Sequence, residues 1–206
     1  MARPQTFDRV DLAAAGLALI ADKGWSAVSV RSVAERLGVS PMALYRLAPD
    51  ARHLRRVIAD AAAEAIQPGP HTGDLVATLH AWARRAYRHL GRYPGLSSFV
   101  ITEWTELPAW LDIVETLLRR AEAEDIVGAH AVATVNAVYA YVLARSELRD
   151  VAATAPRRQL APVNRDHRRY RLMHGNIGEF TTAKTDRHFG LGLDILTQGL
   201  RSALVP

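Results

Sequence analysis

Three residues, Gly38-Val39-Ser40, separate two short amphipathic helical patterns, and this spacing constrains the chain more than any other feature. Before the link, Val30, Val33, Ala34 and Leu37 fall at i, i+3, i+4 and i+7, with Ser29 placed to cap the helix and Gly38 to end it. After it, Ser40 predicts a capping residue and Pro41 a first helical position, where a missing N–H costs nothing. So short a link favours a steep crossing over an antiparallel return, which is the helix-turn-helix arrangement. In that arrangement the first short helix crosses the DNA backbone and the second lies in the major groove. The second helix, Pro41-Met42-Ala43-Leu44-Tyr45-Arg46, has a surface that fits: small residues near its start allow close approach, and Tyr45 and Arg46 reach towards phosphates or base edges.

The charge distribution agrees with a nucleic-acid partner. The chain carries a formal net charge of +5, and residues 1–56 alone hold nine Lys and Arg against five Asp and Glu. A basic excess at one end suits phosphate neutralisation with release of counterions. Charge of this size is also common in domains that never meet nucleic acid.

Helical periodicity continues through most of the 206 residues, and no stretch alternates as a strand does, so the expected fold class is all-α. Val10, Ala14, Leu17 and Ala21, with Ala13 and Ile20 widening the stripe, predict the buried face of a first helix closed by Lys23-Gly24, and Asp50 caps a fourth whose Leu54, Val57, Ile58, Ala61 and Ala65 point to one side. The Gln67-Pro68-Gly69-Pro70 run marks a boundary between a DNA-binding domain, 1–66, and a larger helical domain, 71–206. In the larger domain Leu75, Leu79, Trp82, Ala86 and Leu90 form one face, and shorter helices follow near Leu96–Glu103 and Pro108–Glu124. A long apolar stretch, 126–148, keeps Val132, Val135, Tyr139 and Val142 in register. A last helix near 186–203 aligns Phe189, Leu193, Leu196 and Leu200. Residues 151–169, with two prolines and several arginines, show no stable period and predict a loop. Its basic segment from Arg157-Arg158 to Arg171 reads as a solvated loop or as an extra anionic contact.

The run from Gly24-Trp25-Ser26 through Ala34-Glu35-Arg36-Leu37-Gly38-Val39-Ser40 to Leu44-Tyr45-Arg46 resembles the DNA-binding signature of tetracycline-repressor-like (TetR) regulators, over about Val10 to Ile58. Phe189-Gly190-Leu191-Gly192-Leu193-Asp194-Ile195-Leu196-Thr197-Gln198-Gly199-Leu200 is similar to the final helix of the subgroup nearest the tetracycline repressor itself. The resemblance implies a homodimeric regulator, most simply a repressor, held together through the helices near 126–148 and 186–203. Glycines in that last helix each cost about 1 kcal/mol against alanine, and close approach of another helix is a reason to accept them.

Carried over by position, the resemblance places Arg31 where a family arginine reads a base. A bidentate grip on guanine fits its guanidinium, and a phosphate contact fits it equally. Pro41, Met42 and Ala43 fall where relatives touch base edges or thymine methyls. Tyr45 and Ser40 match phosphate contacts, and Arg46 and Arg52 add charge beside them. Two departures stand out. Leu47 replaces a polar residue common after Leu-Tyr-x, and Ala51 stands where a phosphate-binding lysine is frequent, which shifts the electrostatic contacts towards Arg46, Arg52 and Arg55.

About two-thirds of the chain follows the boundary, more than a DNA reader needs, and apolar pockets between helices are common ligand sites. Trp82, Phe99, Trp104, Trp110 and Tyr139 are candidate walls for a small-molecule effector, with Asn136 as a polar group. A tryptophan at helical spacing is core more often than ligand wall, so the cluster is read as a group, and Asn136 serves alternatively as a register-setting pair across a dimer axis. The expected mechanism is a two-state one: a ligand that binds better to a different spacing of the recognition helices shifts the population away from DNA. A DNA-binding regulator without a small-molecule ligand is the alternative.

Other classes find little support. Cysteine is absent, which excludes disulfides and thiolate zinc sites. The eight histidines include no His-Glu-x-x-His, and there is neither a Gly-rich phosphate loop nor a Gly-x-Ser-x-Gly elbow, so no enzyme, metal or cofactor is expected. No apolar run suits a membrane span and Met1-Ala2-Arg3-Pro4-Gln5 opens no signal peptide, which predicts a cytoplasmic protein.

Overall fold

Asp8 opens the first helix by accepting from the backbone N–H of Val10 and Asp11, at 2.8 and 3.0 Å, while Asp11 returns a bond to the Asp8 N–H. This reciprocal capping satisfies donors that no helical carbonyl reaches, for about 1 kcal/mol. In the computed structural model, which describes residues 7–69, 73–154, 161–182 and 186–204, twelve α-helices follow in order and no strand occurs among those residues. The N-terminal part holds α1 (Arg9–Lys23), α2 (Val30–Leu37), α3 (Pro41–Leu44) and α4 (Ala51–Glu64). The remainder holds α5 (Leu75–Leu90), α6 (Leu96–Glu103), α7 (Pro108–Glu122), α8 (Gly128–Thr154), three short helices α9 (Ala161–Arg165), α10 (Arg171–Gly175) and α11 (Ile177–Thr182), and α12 (Asp186–Leu204). Arg157-Arg158 and Pro70 of the boundary motif lie outside the described residues.

Two cores result. Leu12, Ile20, Val33, Ala34, Leu44, Leu54 and Ile58 are fully buried in the first; a fully buried side chain of the larger kinds contributes roughly 1.5–3 kcal/mol. Gly16 of α1 lets α4 close in, because a methyl there would collide with Ile58. The second core packs α5, α7, α8 and α12 around Trp82, Tyr87, Trp110, Val138 and Leu193. The cores meet inside α4: Leu54, Val57 and Ile58 belong to the first, and Ala59, Ala62 and Ala63 to the second. The helix is therefore shared between the two cores.

Several expectations are corrected. In α1 the buried face is Leu12, Ala13, Ala15, Gly16, Leu19 and Ile20, whereas Val10, Ala14 and Ala21 are exposed. Alanine on both sides of the helix leaves its periodicity ambiguous, and the isobutyl and sec-butyl groups decide the orientation. Ala65 caps the end of α4 and is exposed rather than on its buried face, and in α8 Val135, Tyr139 and Val142 are buried, but Val132 is 51% exposed. Within 151–169, residues 151–154 prolong α8 and 161–165 form α9. Five residues are too few to display a 3.6-residue period, and Pro162 is harmless in a first turn.

A tight joint connects the two parts near the end of α1. The Trp25 N–H donates to the Pro94 carbonyl at 2.9 Å. Gly95, at φ +84°, brings its backbone so close that a Cβ would lie 2.8 Å from that of Trp25. Asp150 of α8 accepts the Gly95 N–H at 2.8 Å, fixing the joint to the long helix.

Candidate functional site

Ser29 and Ser32 begin the reading unit with a second reciprocal cap, and Gly38, at φ +69°, ends α2 in the left-handed conformation. α3 follows at once. Ser40 makes no side-chain capping bond, contrary to expectation, because its own carbonyl takes the Ala43 N–H at 3.0 Å. Its hydroxyl is left on an exposed residue. Leu44 is fully buried in the first core, and Leu47 packs at the edge of the same core, which gives an apolar residue a packing reason to stand there.

With Leu44 inward, Pro41, Met42, Tyr45 and Arg46 are exposed, Met42 at 75% and Tyr45 at 45%, and Ala43 is half-buried. Arg31 is exposed at the start of α2. Arg31 and Arg46 form no ion pair with the described residues, and their guanidiniums are available to an anion from outside. Arg36 differs, pairing with Asp22 of α1 at 2.7 Å, and Arg55 donates to the Val28 carbonyl at 3.2 Å. These two arginines brace the reading unit.

Arg52 differs again. Its Nη2 lies 2.8 Å and its Nε 3.2 Å from the two oxygens of Glu103 on α6, a bidentate pair across the two parts of the molecule. Arg56 binds the same carboxylate at 2.8 Å and reaches Glu106 at 3.2 Å. Hydrogen bonds from Arg52, then Arg56, hold the Glu103 carboxyl below the usual glutamate range, and the bond to Glu103 raises Arg52 in turn. Neither Arg56 nor Glu103 was expected as a functional residue. They are separated by 47 positions, and no local pattern joins them.

Of the six candidate ligand residues, the structure brings three together. Trp82 and Tyr139 stack with centroids 5.9 Å apart, and Trp110 meets Tyr139 edge-on at 6.3 Å. Both indoles are fully buried and donate to backbone carbonyls at or just beyond α4: Trp82 to Ile66 at 2.9 Å and Trp110 to Ala59 at 3.0 Å. Burial pushes the Tyr139 phenol well above its ordinary range, and its hydroxyl has no hydrogen-bond partner among the described residues. The other three lie elsewhere. Phe99 packs on Trp25 at 4.8 Å, Trp104 is 39% exposed after α6, and Asn136 is on the exposed side of α8. A groove of about 660 Å³ lies apart from all six, between Ala14, Leu17, Ala18 and Ala21 of α1 and the turn Gly91–Pro94.

The described residues contain no cluster of His, Asp and Glu suited to a metal ion, and no helix among them is long and apolar enough to cross a membrane. His80 bonds Asp194 at 2.9 Å, tying α5 to α12.

Comparison with known proteins adds an independent line. Residues 12–53 match the family described as bacterial regulatory proteins, tetR family, and residues 67–204 match the tetracyclin repressor-like C-terminal domain. No curated protein matches the sequence. Among solved structures, a possible TetR family transcriptional regulator from Streptomyces coelicolor A3(2) superposes with a TM-score of 0.81 at 19% identity, covering 95% of this chain and 100% of that one. BioQ with its natural double-stranded DNA operator gives 0.67 at 20% identity, covering 96% and 99%. ActR from Streptomyces coelicolor in complex with actinorhodin gives 0.75 at 16% identity, covering 97% of each chain. At these identities the likeness is one of fold.

Proposed function

Because the chain belongs to the tetR family of bacterial regulatory proteins, we propose that it is a cytoplasmic, ligand-responsive repressor that binds a palindromic operator as a homodimer and is released by a small apolar or aromatic molecule. Proteins of this family are transcriptional regulators and not enzymes. The observation that carries the reading is the exposed set Arg31, Met42, Tyr45 and Arg46 on helices fixed from behind by Val33, Ala34 and Leu44. Arg31 contacts a base or phosphate, Pro41, Met42 and Ala43 pack on base edges, and Ser40, Tyr45, Arg46 and Arg52 meet phosphates.

Dimerisation through α8 and α12 is supported by their exposed apolar residues. Val132 and Leu148 on α8 and Leu191 and Ile195 on α12 are each at least half exposed, Ile195 at 73%. A Cβ on Gly199 would meet nothing within 4 Å, leaving room for a partner helix. Asn136 lies on this exposed side of α8, which favours its role across the dimer axis over a place in the ligand site.

The ligand reading is supported by the Tyr139 hydroxyl, since buried polar groups normally find a partner and a ligand atom supplies one. A specific observation also favours a regulator without a ligand: Trp82 and Trp110 already fill their places, fully buried and hydrogen-bonded. A panel of aromatic compounds in thermal unfolding separates the two, because a ligand selective for the folded state raises Tm with concentration.

The primary experiment is titration onto a duplex of the region upstream of the gene, at several salt concentrations, beside the Arg31→Ala, Tyr45→Ala double variant. Sequence-selective binding that the variant loses supports the reading. Equal binding to random DNA by the wild type, there and in a genome-wide pull-down, overturns it.

A further inference from the structure

Glu103 and Arg52 each stand at the wrong end of a helix for their charge. Glu103 is the last residue of α6, where the helix dipole opposes an anion, and Arg52 is the second residue of α4, where it opposes a cation. Their bidentate pair offsets both. The α4 terminus together with the Arg52 guanidinium is a place suited to an anion, and in this structure the anion is supplied by the sensing domain. The three partners are not equally held. The Arg52 side chain is 67% exposed, that of Arg56 26% and that of Glu103 14%. Arg56 also bonds Glu103, at 2.8 Å, so the carboxylate of Glu103 keeps a charged partner when Arg52 leaves.

We propose that Glu103 competes with a DNA backbone phosphate for Arg52, so that the sensing domain sets DNA affinity through this carboxylate. The inference rests on the DNA-binding reading above. It goes beyond that reading by giving Arg52 two alternative anionic partners and by naming the residue that withholds it. Arg52 swings between them about its own flexible stem, and Arg56 holds Glu103 in place meanwhile. α6 also carries Leu96 and Val100 into the aromatic core and Phe99 against Trp25. A shift of α6 therefore moves Glu103 relative to α4 and changes how strongly it competes. Linkage requires the reverse as well: DNA that takes Arg52 weakens the hold of α4 on α6.

The test measures fluorescence anisotropy of the full chain on two labelled duplexes, the upstream region and a mixed sequence, across a salt series. Glu103→Gln is expected to bind both more tightly and to steepen the salt dependence by about 0.9 per protomer, the contribution of one added phosphate contact. In an Arg52→Ala background the same substitution is expected to change neither quantity. Glu103→Asp, which keeps the charge but withdraws it by one methylene, gives an intermediate shift and replaces Glu103→Gln should the latter unfold. Unchanged or weaker binding by Glu103→Gln, or an equal change without Arg52, overturns the proposal and leaves the pair a structural latch. Wild type that binds the two duplexes equally counts against the operator, while the salt slopes still decide the role of Glu103. Wild type that binds neither removes both readings.

Discussion

The Trp110 indole N–H points at the Ala59 carbonyl, 3.0 Å away, and so joins the centre of the sensing domain to the middle of the helix that carries Arg52. Trp82 makes the corresponding bond to Ile66 just beyond that helix, and Asp60 accepts the Ala109 N–H at 2.7 Å at the start of α7. α4 is thus held by side chains and backbone from α5 and α7 at three successive places. These bonds tie the aromatic core to the helix that carries Arg52.

Replacing Trp110 by phenylalanine keeps an aromatic ring and removes the bond to Ala59 together with part of the indole volume. A loss of about 1–3 kcal/mol is expected from the missing hydrogen bond and the residual void. Urea denaturation followed by far-UV circular dichroism measures it.

Asp60 gives a pH signature. Burial raises its carboxyl above the ordinary aspartate range, against the opposing bond from Ala109. The folded state therefore holds this proton more tightly than the unfolded chain does. The corresponding stability is present at low pH and is lost as pH rises through the raised value. Asp60→Asn keeps an oxygen for the Ala109 N–H without the charge. It is expected to match the wild type in acid and to equal or exceed its stability at neutral pH. A variant less stable at neutral pH than in acid, relative to wild type, contradicts this.

Gly192 of α12 faces Tyr141 of α8, whose hydroxyl donates to the Phe189 carbonyl at 3.0 Å. A methyl on Gly192 would collide with that hydroxyl. Gly192→Ala is expected to cost about 1–3 kcal/mol, as overpacking does. Adding Tyr141→Phe recovers part of the loss, and a double-mutant cycle of unfolding free energies reads the coupling.

Ile195 tests the assembly. It is 73% exposed on α12 and contributes little to the core of one chain. Ile195→Arg is expected to retain helicity while shifting the mass seen by analytical ultracentrifugation from dimer to monomer. A variant that remains dimeric argues that the chains associate elsewhere.

Met42 separates recognition from stability. At 75% exposure its truncation to alanine is expected to leave Tm within about 0.5 kcal/mol equivalent of wild type. A change in operator preference without a change in salt slope marks an apolar base contact, and no change in preference places Met42 outside the interface.

Local chemistry wrote much of this molecule into the sequence. The caps at Ser29 and Asp50, the left-handed end at Gly38, and the regular apolar faces of α2, α5 and α12 depend on neighbours within a few positions, and they are legible for that reason. The same holds for the exposure of Met42 and Tyr45, which follows once Leu44 must face inward. What only the tertiary structure decided involves partners far apart in the chain. In alanine-rich α1 the sequence placed Ala13 and Ile20 on the buried face but also Val10, Ala14 and Ala21, and packing chose Leu12, Ala15 and Leu19 instead of those three. The six candidate ligand residues divided because helix crossing, rather than residue type, sends Trp82 inward and leaves Trp104 39% exposed. Arg52 was legible as a surface cation, but its partner Glu103, 51 positions later, was not. An ion pair between helices depends on where two rigid elements cross, and that is fixed by the packing of whole cores.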